Sequence, residues 1–371
     1  MRGKSFRAPW RLLSIGFGPL AALLIAGGSA TADPELARPW PGPSQIADIE
    51  GQEVSFPSHS PFGLPEVGTG PEADPPETAR GTLFLPESAA PDAPVPAVVM
   101  LHGASGVLSA REMVYGRQLA SRGVAALVVD VFAARRGRAS GFVNRLLEIT
   151  EAMFLADAFA GLRFLDDRPD IDGRRVVLVG FSYGGMVATY AAYAQVAERF
   201  ARGAARFAGH VAFYAPCLAE FEDHRATGAS VLMLFGARDA IVDPERCAEV
   251  AQALSAGGAD VQMIIYNDAV HQWDGHFDGP REIGRNLAGC HFTVRSDGSV
   301  RGGPLDLPMT GRFMRKVILG LCADTDGYLI GRDDRVRQRS NGDLGRFLER
   351  VFRGGGPRRE VPASGSASTA D

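Results

Sequence analysis

The stretch that decides the fold is VVLVGFSYGGMVATYAAY, residues 176–193, an apolar β-branched run that stops at glycines and continues with helix-compatible residues. Ser182 lies between Gly180 and Gly184 at this break. A Gly-x-Ser-x-Gly pattern after a strand is typical of a nucleophile elbow, a sharp strand-to-helix turn that exposes the serine hydroxyl. Because the motif is short, its interpretation depends on the sequence around it.

Short apolar runs alternate with helical segments on both sides of this stretch. The strand-like runs are ARGTLFLP (79–86), VPAVVML (95–101), AALVVDVF (125–132), HVAFYA (210–215), SVLMLFG (230–236) and VQMIIY (261–266). The helical segments between them are residues 110–123, 143–167 and 244–258. Such alternation predicts an α/β fold with a mostly parallel central sheet and helices on both faces.

Three chemically matched residues follow predicted strands. Ser182 follows VVLVGF, Asp239 follows SVLMLFGAR, and His271 follows VQMIIYNDAV. The carboxyl ends of parallel strands meet at one edge of the sheet, where functional loops gather. Serine, acid and histidine in this chain order form a hydrolytic triad. We predict Ser182 as nucleophile, His271 as base and Asp239 as the acid that orients the base.

The acid and the base each have competitors. His276 and His291 also follow the last strand, but His271 is closest to the strand end. Asp243 directly precedes Pro244, an arrangement typical of a helix N-cap, so a structural role explains it. A buried aspartate without such a role needs a partner such as an imidazole N–H, which favours Asp239.

The segment VVMLHGASGV (98–107) places a glycine-rich turn after a central strand. Backbone N–H groups in such a turn stabilise developing negative charge, so we predict an oxyanion hole from the N–H groups of Ala104 and Tyr183. The alternative is that these glycines merely permit a tight turn. For His102 in the same turn we expect a structural hydrogen bond beneath the site.

The loop FAARRGRASGF (132–142) carries Arg135, Arg136 and Arg138. Guanidinium groups bind carboxylates bidentately, so these arginines are candidates for binding a substrate carboxylate at the mouth of the site. A solvated surface loop is the competing interpretation.

Residues 1–32 have the features of an export signal. Four basic residues and no acid precede an apolar run and a small-x-small pattern that ends at Ala32, where we expect cleavage. The alternative is an uncleaved anchor, but glycines and Pro19 leave the run short of the roughly 20 residues of a membrane span. Loss of the four basic residues takes the net charge from −4 to −8. No basic stripe then remains, so nucleic acid is excluded as a partner.

An exported chain in an oxidising compartment, periplasmic or extracellular, is expected to form disulfides. Cys217 and Cys247 should lie at the same end of neighbouring strands, and we predict that they pair. Cys290 and Cys322 then pair by default. The cysteines show no C-x-x-C spacing, so we predict no zinc site.

Four segments, LHGASGV, GFSYGG, FGARDAIVDP and YNDAVHQWD, resemble the dienelactone hydrolase family of the α/β-hydrolases, over roughly residues 79–280. The resemblance implies the α/β-hydrolase fold as a single compact domain without a large lid, and hydrolysis of esters or lactones through an acyl-enzyme. By matching motifs it implies the same triad. The best-known members have cysteine at the elbow and an acidic residue at the position of Gly103, so the sequence departs from them at both places.

The sequence therefore divides into a signal peptide (1–32), a proline-rich arm (33–78), an α/β-hydrolase domain (79–353, with a C-terminal extension from about 285) and a flexible tail (354–371). The predicted function is an exported serine hydrolase for a small-molecule ester or lactone, without metal or organic cofactor and without stable membrane insertion. A peptidase or acyltransferase with the same triad, or a non-catalytic exported binding protein, are the alternatives.

Overall fold

The computed structural model describes residues 35–138, 141–201 and 205–354. The predicted signal peptide, and the predicted tail apart from Gly354, lie outside the described residues. The described residues all belong to one compact unit. Within these ranges, no helix is both long enough and apolar enough to cross a membrane.

The strands of the described chain are β1 (Gln52–His59), β2 (Pro76–Phe84), β3 (Val95–Leu101), β4 (Ala125–Val129), β5 (Ile171–Phe181), β6 (Gly209–Phe213), β7 (Ala219–Phe221), β8 (Ser230–Gly236), β9 (Val261–Tyr266), β10 (Arg281–Ile283), β11 (Phe292–Val294), β12 (Val300–Gly302), β13 (Leu307–Pro308) and β14 (Tyr328–Ile330). The helices are α1 (Glu112–Ala120), α2 (Phe142–Glu148), α3 (Glu151–Asp166), α4 (Tyr183–Tyr190), α5 (Ala194–Phe200), α6 (Pro244–Ala256), α7 (Arg312–Cys322) and α8 (Asp334–Gly354).

Eight strands form the main sheet in the order β1-β2-β4-β3-β5-β6-β8-β9. The pairings β1·β2 and β2·β4 are antiparallel, and the other neighbours run parallel. All seven residues of β3 are buried, and they alternate between two hydrophobic clusters: Val99 and Leu101 belong to one, Val98 and Met100 to the other. Because a hydrophobic cluster packs on each face of the sheet, both the odd and the even positions of a strand are apolar, and the strands read as continuous apolar runs. The predicted α/β fold is confirmed.

The proline-rich arm contributes to this sheet. Its residues Gln52–His59 form β1, which pairs with β2 along its whole length at the sheet edge. Arg135 connects this edge of the sheet to α3. Its guanidinium donates to Asp157 of α3 at 2.6 Å and to Ser60 Oγ, just after β1, at 3.0 Å. Ser58 of β1 donates to the same aspartate at 2.6 Å.

Two smaller sheets are built mostly from residues after β9. A four-stranded sheet has the order β13-β12-β11-β7, and β10 pairs with β14. Helix α8 packs against the main sheet through Phe347, Leu348 and Val351, which belong to the second cluster. The structure joins Cys217 to Cys247 and Cys290 to Cys322, the pairs that the sequence predicts.

Candidate active site

The elbow at Ser182 depends on two close backbone approaches. Ser182 precedes α4 with φ 54° and ψ −110°, a sparsely populated conformation for a residue with a side chain. A Cβ added to Gly180 would lie 1.9 Å from the carbonyl oxygen of Gly184, and one added to Gly184 would lie 2.5 Å from that of Leu101. Only glycine fits at these positions, and the resulting sharp turn projects the serine hydroxyl away from the strand.

A continuous hydrogen-bond chain joins the three predicted triad residues. His271 Nε2 lies 2.9 Å from Ser182 Oγ, and His271 Nδ1 lies 2.7 Å from Asp239 Oδ2. All three side chains are buried. Because a carboxylate only accepts, Nδ1 carries the imidazole proton and Nε2 is free to accept from the serine hydroxyl. This arrangement can deprotonate the serine and stabilise the imidazolium that results.

Asp239 and His271 are each held by hydrogen bonds to a different part of the backbone. Asp239 follows β8, and its second carboxylate oxygen accepts from the Ile241 N–H at 3.2 Å. The His271 N–H donates to the Leu329 carbonyl at 3.0 Å, and the Gly331 N–H donates to the His271 carbonyl at 3.0 Å. The backbone of His271 is therefore held by Leu329 of β14 and by Gly331, which both follow it at a long distance in the sequence. Asp243 instead caps α6, accepting from the N–H groups of the second and third helical residues.

The two predicted oxyanion-hole residues lie beside the serine. Ala104 and Tyr183 both line the same cavity as Ser182. Tyr183 is the first residue of α4, so its N–H has no acceptor within the helix. The hydrogen bond that closes the glycine-rich turn is donated by the Gly106 N–H to the Gly103 carbonyl. The Ala104 N–H takes no part in this bond.

His102 is buried beneath the site and is part of the scaffold. Its Nδ1 donates to the Gly103 carbonyl at 2.7 Å, and its Nε2 accepts from the Val131 N–H at 3.1 Å. Burial lowers the pKa of the imidazole, which favours the neutral form. Since both ring nitrogens are engaged, His102 has no nitrogen left to act as a second base.

The three arginines of the predicted loop are paired with carboxylates or exposed. Arg135 is buried in its ion pair with Asp157, and Arg138 lies 3.8 Å from Glu77. Arg136 is exposed. Within the described part of the chain, the lining of the cavity includes none of the three arginines. The structure thus corrects the expectation for Arg135: its charge is neutralised by Asp157, and it is not available to a substrate.

A cavity of about 700 Å³ opens at Ser182. Part of its lining comes from α2, α3 and α4, and another part comes from the four-stranded sheet and α7. Most of the lining is apolar, with residues such as Leu155, Met186 and Val294. The segment from β11 to α7, which supplies much of this lining, carries no motif in the sequence that predicts this role.

Arg315 of α7 is a site residue that sequence reasoning missed. It forms a bidentate pair with Glu151 at 2.9 Å for each contact, and it donates to the Tyr183 hydroxyl at 3.2 Å. Burial alone raises the pKa of the Glu151 carboxyl, but the guanidinium outweighs this and holds it below its ordinary value. The Tyr183 hydroxyl also donates to the Ile149 carbonyl at 3.1 Å. Arg315 therefore links α7 to the residue that follows the serine.

No group of three or more His, Cys, Asp or Glu side chains is arranged to hold a metal ion in the described ranges. No curated protein matches the chain.

Solved structures with similar backbones include three hydrolases. A putative dienelactone hydrolase from Klebsiella pneumoniae subsp. pneumoniae has 21% identity and a TM-score of 0.42, with 59% of this chain and 88% of that chain covered. A dienelactone hydrolase-like promiscuous phosphotriesterase from metagenomic libraries has 24% identity and a TM-score of 0.42, with coverages of 60% and 85%. An esterase of Pyrococcus furiosus has 17% identity and a TM-score of 0.43, with coverages of 62% and 87%.

The profile of the dienelactone hydrolase family matches residues 80–278, more than half of the chain. The matched residues include the elbow, both strand ends that carry the acid and the base, and the glycine-rich turn. The chain thus belongs to the dienelactone hydrolase family, and it is a carboxylic ester hydrolase with the α/β-hydrolase fold.

Proposed function

We propose that this protein is an exported serine hydrolase that cleaves carboxylic esters or lactones through an acyl-enzyme on Ser182. The observation that carries the proposal is the hydrogen-bond chain from Ser182 Oγ through His271 to Asp239, with distances of 2.9 and 2.7 Å. A serine in contact with an oriented histidine is the arrangement that activates a hydroxyl for acyl transfer.

Acylation begins when His271 Nε2 takes the proton of Ser182 as Oγ attacks the ester carbonyl carbon. The carbonyl π electrons move to oxygen, and the N–H groups of Ala104 and Tyr183 stabilise this oxyanion. As the intermediate collapses, the C–O bond to the alcohol breaks and the imidazolium returns its proton to the leaving oxygen. Asp239 stabilises the imidazolium throughout.

Deacylation repeats these steps with water. His271 takes a proton from water as its oxygen attacks the acyl carbon, and the second oxyanion forms in the same place. Collapse breaks the bond to Ser182 Oγ, which recovers its proton from the imidazolium. For a lactone, the alcohol and the acid leave as one hydroxy acid.

Export is supported by two features. The leader of residues 1–32 has the composition of a signal peptide, and every cysteine of the chain lies in a disulfide of the described region. Disulfides persist in oxidising compartments and are rare in the cytosol.

The test is a panel of p-nitrophenyl esters and lactones that varies the size and charge of the acyl group. Ser182→Ala should remove turnover while leaving the thermal unfolding unchanged, because the hydroxyl contributes little packing. Ser255→Ala on the exposed face of α6 is the matched control and should leave turnover unchanged. Full activity in Ser182→Ala would refute the mechanism.

A further inference from the structure

One face of α4 forms a strip of the cavity lining. Ser182, directly before the helix, and Met186 and Tyr190 within it all line the cavity. Residues four apart lie on the same face of a helix, so these three side chains follow one another along it. Ser182 and Tyr190 are eight residues apart, which corresponds to about 12 Å along the helix axis. The cavity therefore extends along α4 from Ser182 to the last residue of the helix.

The lining around Tyr190 is apolar and comes from the four-stranded sheet. Phe221 of β7 pairs with Val294 of β11, and both residues are buried and line the cavity. The Phe221 ring lies 5.3 Å from the Tyr190 ring, measured between centroids. Val300 of β12 pairs with Val294 and also lines the cavity. The end of the cavity away from Ser182 therefore suits an apolar group.

The buried part of the lining carries no net charge. Of the charged residues that line the cavity in the described region, only Arg315 is buried, and its partner Glu151 neutralises it. The others are exposed or half-buried: Glu66, Arg285, Arg295, Arg301 and Lys316. A carboxylate carried into the buried part would lose its hydration without gaining an unpaired cation. An uncharged group is therefore favoured there.

Tyr190 supplies a polar group at the far end of the strip. It is 9% exposed, and its hydroxyl forms no hydrogen bond with another described residue. The Tyr193 hydroxyl also lacks a partner, but it is sealed from solvent, and within the described ranges Tyr193 does not line the cavity. Burial raises the pKa of Tyr190 above its ordinary value, so its hydroxyl stays protonated and can donate. Buried hydroxyls are ordinarily hydrogen-bonded, and an oxygen of a ligand in the cavity would satisfy this one.

We propose that the substrates are uncharged carboxylic esters with a long apolar acyl group, of the length of an octanoyl chain, that carries an oxygen at its far end for the Tyr190 hydroxyl. This inference rests on the proposed acyl-enzyme on Ser182. The acyl group is assigned to the strip along α4 because it stays bonded to Ser182 while the alcohol departs. The volume of about 700 Å³ lies within the range of pockets that enclose small organic ligands.

The first test compares kcat/KM for p-nitrophenyl acetate and p-nitrophenyl octanoate, below the concentration at which the longer ester forms micelles. Burial of each added methylene should raise kcat/KM about threefold, so the octanoate should be preferred by roughly 100-fold or more. Ethyl octanoate and octyl acetate are isomers that carry the chain on opposite sides of the ester, and ethyl octanoate should be preferred about tenfold or more. The p-nitrophenyl monoester of suberate, whose acyl group ends in a carboxylate, should react about tenfold more slowly than the octanoate.

Two variants test the far end of the cavity through ratios of kcat/KM, which do not depend on the fraction of folded enzyme. Val300→Phe fills part of the cavity and should lower the octanoate-to-acetate ratio about tenfold. Ile265→Phe is its control, since this residue is 45% exposed on β9, and should keep the ratio. Tyr190→Phe should lower the ratio for 8-hydroxyoctanoate over octanoate about threefold to tenfold through the loss of one hydrogen bond. Tyr193→Phe, which removes the sealed hydroxyl, is its control and should keep that ratio.

Hydrolysis of the acetate separates this inference from the catalytic proposal. Equal kcat/KM for acetate and octanoate, a preference for octyl acetate or for the suberate, or equal ratios in Tyr190→Phe and Tyr193→Phe would each overturn the inference. Acetate turnover that disappears in Ser182→Ala would still leave the proposed function intact in these cases. If no ester shows turnover that depends on Ser182, the proposed function fails, and the inference on its substrates fails with it.

Discussion

The family-matched part of the chain, residues 80–278, and the C-terminal segment, residues 281–354, contribute different things to the same site. The first part supplies Ser182, Asp239 and His271, all at the carboxyl ends of parallel strands. The second supplies none of the triad, yet β14 holds the backbone of His271 and α7 forms a wall of the cavity.

This division suggests that the sheet determines the reaction and the C-terminal segment determines access to it. Substitutions in the first part should change kcat at constant stability when they remove a triad group. Substitutions in the second should change stability together with KM or kcat. The predictions below test this separation.

The largest effect is expected for Asp239→Asn. The amide cannot hold His271 in the required tautomer or stabilise its cation, so kcat should fall about 10,000-fold, as in other triads. Asp243→Ala is the matched control four residues away, and it should cost about 1 kcal/mol of stability through the lost helix cap while kcat stays the same. Ester hydrolysis and urea unfolding of both variants check this. The reverse pattern would assign the acid to Asp243.

In the C-terminal segment, Arg315→Met should act on both stability and rate. It leaves the partly buried Glu151 carboxylate without its partner, which should cost about 1–3 kcal/mol of unfolding free energy. Displacement of the Tyr183 hydroxyl, which Arg315 contacts at 3.2 Å, should lower kcat about 10- to 100-fold. Arg312→Met is the control, because this exposed arginine pairs with Glu148 at the surface and should contribute less than about 1 kcal/mol.

Adding Glu151→Gln to Arg315→Met removes the orphaned charge. The double variant should regain part of the lost stability but not the lost rate. If the rate returns together with the stability, Arg315 acts only through folding and does not position Tyr183.

The two disulfides allow a matched comparison because they close loops of similar length, with sequence separations of 30 and 32. Replacing either pair by serines should cost about 3–4 kcal/mol on the chain-entropy model. Cys290–Cys322 also anchors the end of α7, so its loss should raise KM more than loss of Cys217–Cys247 does. Equal KM values for the two variants would show that the cavity wall does not depend on this anchor.

A smaller, pH-dependent effect is expected in the family-matched part. Burial lowers the pKa of His210 on β6 to about 3. The unfolded chain, with a pKa of about 6.5, takes up this proton first, so the folded state loses stability as the pH falls below that value. At pH 5 the loss is about 2 kcal/mol. His210→Leu should flatten this part of the stability curve, whereas exposed His224→Gln should not.

Much of the first part could be predicted from the sequence because its signals are local. Strands buried on both faces read as apolar runs, the elbow needs glycines at fixed spacing, and Asp243 before Pro244 marks a helix cap. The C-terminal segment follows no such local rule. Its β11 pairs with β7, about 70 residues earlier in the chain, and its contact with His271 is made by backbone groups.

The arginines illustrate the same limit. Arg135 looks like a loop residue available to a substrate, and no motif in the sequence marks Arg315 for a role. Both are buried because a carboxylate distant in sequence, Asp157 or Glu151, neutralises each one. A side chain's type and its neighbours along the chain do not reveal such a partner.

The central claim, that Ser182 is the activated nucleophile, is tested most directly by mass spectrometry after reaction with a fluorophosphonate. We predict one adduct per chain on the peptide that contains Ser182, slower labelling in Asp239→Asn, and no adduct in Ser182→Ala. An adduct on a different residue, or sustained ester hydrolysis in protein that the reagent does not label, would contradict the account.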